Sequence, residues 1–110
     1  MTSTAKALIA YLRAYEAKDL SAIEAMLSED VRLQDWNLVA EGRSRVVEET
    51  RKNFESAQSL KIDVVRLYES ESHASAELKI VVNGVVVLDV VDSVSFTSTG
   101  AISAIRAYKG

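Results

Sequence analysis

Residues Val85 to Phe96 read VVVLDVVDSVSF. A strand points alternate side chains to opposite faces. Val86, Leu88, Val90, Asp92, Val94 and Phe96 form one set, and all but Asp92 are large and apolar. This set predicts a buried face with an acid in its middle. Val85, Val87, Asp89, Val91, Ser93 and Ser95 form the other set, suited to a second layer or a partner subunit. Strand phase therefore commits Asp92, and not Asp89, to the core. A buried ionised carboxylate is costly. Such a group stays protonated or takes a strong partner.

The flanking chain repeats the alternation. Ala74, Ala76, Leu78, Ile80 and Val82 alternate with Ser75, Glu77, Lys79 and Val81. Strands are expected at about 60–70, 74–82, 85–97 and 101–108, joined by short turns. Asn83-Gly84 is a two-residue hairpin signal. His73, beside the acidic turn Glu69-Ser70-Glu71-Ser72, is expected to be an exposed bystander.

Upstream, the period changes to that of helices. Thr2, Ser3 and Thr4 offer N-caps to a helix over about 4–17, with Leu8, Tyr11, Leu12 and Tyr15 as its inner stripe. Asp19 can cap a short helix from Leu20 to Leu27. Val31 to Asp35 reads as a strand that ends on an acid in the apolar phase. The alternative at Asp35 is an Asx turn, because Asp-Trp-Asn can reverse the chain. Leu38 to Glu41 reads as a return strand. Ser44 is placed to cap a third helix from Arg45 to about Ala57, with Val46, Val47, Thr50, Phe54 and Ala57 inside. Helices followed by long antiparallel strands predict an α+β domain over residues 1–110.

Composition narrows the function. The chain has 110 residues, a net charge of −3 and no basic cluster, which argues against a nucleic-acid partner. No apolar run approaches the roughly 20 residues of a membrane span. Without cysteine there is no disulfide framework or thiol nucleophile, and a single histidine makes no His-rich metal site. No signal-peptide layout opens the chain, so a cytoplasmic location is expected.

Tyr11, Asp35 and Asp92 each break the apolar rule on a different element. Separately, unsatisfied burials would be expensive. A shared apolar pocket accounts for all of them. In it a neutral Asp92 and Tyr11 are donors, while Asp35, nearer solvent, stays ionised as a base. Carboxyls pushed toward different protonation states suit acid/base chemistry. Donors beside a base suit a carbonyl substrate: the base takes an α-proton and the donors hold the enolate oxygen.

The chain resembles the Δ5-3-ketosteroid isomerases of the cystatin-like, nuclear-transport-factor-2-like (NTF2-like) superfamily, which includes SnoaL-like proteins. The resemblance covers nearly the whole chain. It is carried by Tyr11 followed by Ala17-Lys18-Asp19-Leu20, by Val31 to Asp35, by Leu88 to Phe96, and by Ala101-Ile102 through Arg106-Ala107-Tyr108. It implies a cone of three N-terminal helices on a curved, mainly antiparallel sheet. It implies Asp35 as general base, with Tyr11 and protonated Asp92 as oxyanion hole, in a steroid Δ5-isomerase that uses no metal or organic cofactor. The family is itself a known case of a carboxylic acid kept neutral by an apolar site. The partners implied are a small apolar ketone of steroid type and a second copy, as a homodimer through the sheet.

This chain also departs from the family. Thr50 replaces a supporting tyrosine, and the segment from Asp35 to Gly42 is shortened. Lys109 replaces an aromatic. Trp36 is expected at the pocket mouth. Alternation assigns Leu12, Tyr15, Phe54, Leu78, Val90, Val94 and Ile105 to the pocket lining. Other enzymes on this fold, such as polyketide cyclases, and non-catalytic small-ligand binders are the alternatives.

Overall fold

A computed structural model describes residues 2–110. Helix α1 spans Ser3–Glu16 and α2 spans Leu20–Met26. Strands β1 (Leu27–Gln34) and β2 (Val39–Glu41) precede α3 (Arg43–Ser56). The chain then runs through β3 (Leu60–Glu69), β4 (His73–Val82), β5 (Val86–Phe96) and β6 (Ile102–Lys109). These strands make one six-stranded sheet in the order β2-β1-β6-β5-β4-β3. Only β1 and β6 pair in parallel. The result is the α+β, cystatin-like (NTF2-like) fold, a curved and mainly antiparallel sheet with three helices.

The helices begin where short polar side chains can satisfy free amides. Thr2 accepts the Ala5 N–H and Asp19 accepts the Ala22 N–H. Helix α3 departs from expectation. Its N-cap is Gly42, with no side-chain cap bond, and Ser44 lies inside the first turn. Gly42 takes φ +90°, a left-handed conformation that favours glycine, and this starts the helix earlier than Ser44 would. Leu27, expected to end α2, instead begins β1.

Helix α1 is fixed at both ends. Thr4 Oγ1 donates to the Ser70 carbonyl at 2.7 Å, near its start. Near its end, Arg13 donates to the Ile62 carbonyl at 3.0 Å and Glu16 accepts the Ile62 N–H at 2.6 Å. That amide holds the Glu16 carboxyl below its ordinary pKa. The helix is thereby laid along the sheet with Leu8, Tyr11 and Leu12 buried beneath it.

The β4–β5 connection is one residue longer than the hairpin signal suggests. Val82 pairs with Val86, and Asn83, Gly84 and Val85 form the turn. Asn83 and Gly84 both take positive φ. Asn83 Oδ1 also accepts the Gln58 and Ser59 N–H groups, tying the hairpin tip to the end of α3. At this open end Val86 leaves the predicted buried face and is exposed. Further along β5, Val90, Val94 and Phe96 are buried as alternation requires. His73 is half-buried rather than exposed, because its ring nitrogens meet the Ser75, Ser93 and Ser95 hydroxyls.

Candidate active site

A cavity of about 260 Å³ opens between the helices and the concave face of the sheet. Tyr11, Asp35 and Asp92, from α1, the end of β1 and β5, all line it. Most of the wall is apolar, with Leu12, Leu33, Leu60, Ile80, Leu88 and Ile105 among the lining residues.

Asp92 owes its environment to its neighbours in the sheet. Directly across the ladders it faces Ala76 on β4 and Ala107 on β6. Both are methyl groups, so they leave room beside the carboxyl and offer it no hydrogen bond. Desolvation alone pushes Asp92 up to about 7. Near neutral pH a large share of the group is therefore a neutral acid able to donate.

Tyr11 is 5% exposed. Burial, and then the adjacent Tyr15 and Asp92, raise its pKa well above the ordinary phenol value. It keeps its proton. Among the described residues, the one sealed side-chain polar atom without a partner is Arg43 Nε. The Tyr11 hydroxyl and the Asp92 carboxyl are thus not stranded in solid core. They face the cavity, with no hydrogen bond to a described residue.

Asp35 forms the Asx turn and also borders the cavity. One carboxylate oxygen, Oδ1, accepts the Asn37 N–H at 2.7 Å and the Leu38 N–H at 2.9 Å, which is an Asx turn. The same residue lines the cavity. The turn and this part of the cavity wall are therefore one feature: the bonds to Oδ1 hold the carboxyl still, and no described residue takes up Oδ2.

Trp36 lines the mouth and is 43% exposed. Lys109 places its ammonium 5.6 Å from the Trp36 ring centroid. Since Ile105 and Ala107 line the cavity, Lys109 is the next residue on the same face of β6 and reaches the rim.

Leu12, Tyr15, Trp36, Val90 and Ile105 line the cavity, but Phe54, Leu78 and Val94 do not. Phe54 lies behind Tyr15, packed edge-on at 4.9 Å. Leu78 and Val94 are 2% and 0% exposed and belong to the solid core. Alternation gives the face of a strand but not how far along it the cavity extends. Sequence reasoning also missed Asn53, a polar residue on α3 that borders the cavity. Its hydrogen bond to Tyr15 has no local signature in the sequence.

The described residues contain no group of three or more His, Cys, Asp or Glu side chains able to hold a metal ion. No described helix is long and apolar enough to cross a membrane.

The SnoaL-like domain family matches residues 8–105. The chain belongs to that family. The match spans α1 to β6 and includes every candidate catalytic residue. A search of curated proteins finds no match. Solved structures share the SnoaL-like fold across almost the whole chain. An NTF2-like protein of unknown function from Cytophaga hutchinsonii superposes with a TM-score of 0.82 at 16% identity, covering 100% of this chain and 91% of that one. A candidate ketosteroid isomerase from Kribbella flavida gives 0.86 at 17% identity, covering 98% and 78%. An LEH-like epoxide hydrolase from M. tuberculosis gives 0.82 at 17% identity, covering 98% and 79%. Such low identities establish the fold, and this fold carries more than one chemistry.

Proposed function

We propose that this SnoaL-like protein is a proton-transfer isomerase of the Δ5-3-ketosteroid isomerase type. The observation that carries the reading is the unpartnered Asp92 carboxyl beside Tyr11 in an apolar cavity that Asp35 also lines. A structural acid would be expected to have a partner; a neutral donor awaiting a substrate oxygen would not.

In this mechanism a 3-oxo-Δ5 steroid enters carbonyl first. Tyr11 O–H and protonated Asp92 donate to the carbonyl oxygen. Asp35 takes a proton from C4, and the electron pair moves into a dienolate whose oxygen the donors stabilise. Asp35 then returns that proton to C6, which completes the Δ4-3-ketone with no net gain or loss of atoms. Donors placed where charge develops supply the main stabilisation. The Asx turn supports the base by fixing its carboxylate without consuming Oδ2. Epoxide hydrolysis by an Asp-Arg-Asp set is disfavoured, since no arginine is among the described residues that line the cavity.

The reading includes a homodimer through the outer face of the sheet. Val87, Val91, Tyr68 and Tyr108 are exposed large side chains on its strands. Incubation with 5-androstene-3,17-dione, followed by the conjugated enone absorbance, tests the function. Turnover well above buffer is expected. Its absence at high enzyme concentration would refute the reading.

A further inference from the structure

The mechanism above uses one phenol, and the cavity contains a second. Tyr15 stands one helical turn beyond Tyr11 on the same face of α1, with ring centroids 5.9 Å apart. It lines the cavity. Phe54 meets its ring edge-on at 76°, which fixes the plane of the phenol. Its hydroxyl oxygen accepts from Asn53 Nδ2 at 3.1 Å.

That bond has a consequence for the hydroxyl proton. A phenol has one proton to donate and lone pairs to accept with. The Asn53 amide occupies an acceptor position and leaves the proton unused. No described residue accepts it. Burial, the leading cause, raises the Tyr15 pKa, so the proton is retained. Asn53 is exposed, which sets this donor between the buried Tyr11 and the mouth. The bond to Asn53 is exposed, so in the free protein this proton is open to water, and a bound ligand that displaces that water can supply the acceptor in its place.

We propose that Tyr15, oriented by Asn53, is a specificity-determining donor for a second oxygen on the substrate, about one helical turn from the carbonyl held by Tyr11 and Asp92. The preferred substrate is then an apolar ketone of the same reacting type that carries a further carbonyl, ether or hydroxyl oxygen at that distance; 5-androstene-3,17-dione, whose second oxygen lies at the far end of the steroid, reports on the first oxygen's site alone. This deepens the isomerase reading and rests on it for the placement of the first oxygen. Tyr15 acts on binding and not on the proton transfer, and Asn53 is a positioning residue.

Equilibrium binding of two phenols of nearly equal shape tests the proposal without turnover. 4-Methoxyphenol carries a second oxygen across the ring, and 4-ethylphenol lacks it. Tyr15→Phe is expected to weaken 4-methoxyphenol about 10-fold and 4-ethylphenol less than about 2-fold, the scale of one hydrogen bond. Asn53→Ala, with the fold checked by circular dichroism, is expected to show the same selectivity at a few-fold, and it decides the matter if Tyr15→Phe does not fold. Equal losses for both phenols, or none, would overturn the proposal. Tyr11→Phe serves as the control for the underlying reading and should weaken both phenols alike. If Tyr11→Phe affects neither phenol, the oxyanion site is wrongly placed. If it weakens both while Tyr15→Phe is unselective, only the second donor is wrong.

Discussion

Asp92 faces Ala107 across the β5–β6 ladder, and this neighbour offers it only a methyl group. Ala76 repeats the arrangement on the other side. The carboxyl is therefore desolvated but not crowded, and its proton is held to about pH 7. An unfolded aspartate releases its proton near pH 3.9. Between those values the folded chain binds a proton that the unfolded chain does not, so stability falls as pH rises. The loss over the window from about pH 4 to pH 7 is on the order of 4 kcal/mol, and above it Asp92 adds no further dependence. Asp92→Asn should flatten this dependence. Denaturant unfolding at several pH values, compared between the variant and wild type, measures it.

In the proposed mechanism the same titration should set the alkaline limb of catalysis. Once ionised, Asp92 has no proton to donate and repels an enolate. kcat/KM should fall as pH rises through about 7. Asp92→Ala should lower kcat by about 10², as for a lost oxyanion donor, and remove that limb. Steady-state rates from pH 5 to 9 on both proteins check this.

Asp35 combines an Asx turn with the proposed role of base, and two substitutions separate them. An asparagine oxygen can still accept the Asn37 and Leu38 amides, so Asp35→Asn should stay within about 0.5 kcal/mol of wild-type stability while kcat falls by about 10³ or more. Asp35→Ala loses the turn as well and should unfold about 1–2 kcal/mol more easily. Paired unfolding curves and rates distinguish the effects.

The outer face predicts association. Val91 pairs with Tyr108 and Glu77 in the register, and both Val91 and Tyr108 are exposed. Val91→Asp on this face should leave the monomer folded and shift sedimentation from dimer to monomer. A wild-type protein that sediments as a monomer at high concentration would remove the dimer from the account.

Much of this was legible in the sequence because strand alternation and helical stripes are local. The phase of β5 singled out Asp92, and the apolar stripe of α1 placed Tyr11 inside. What escaped depends on three-dimensional placement. Phe54, Leu78 and Val94 are on inward faces but lie outside the cavity. Val86 is in phase but at the open end. His73 is half-buried by serines on its own and the adjacent strand, and Asn53 meets Tyr15 from another helix. At Asp35 the sequence posed a choice between turn and site that the fold does not require.

The central claim is that one carboxylate carries one proton across the substrate. Substrate deuterated at C4, turned over in ordinary water, tests it most directly. Part of the label should appear at C6 of the product, and Asp35→Asn should yield almost no product. Product formed at the wild-type rate by Asp35→Asn, with no label at C6, would contradict the account.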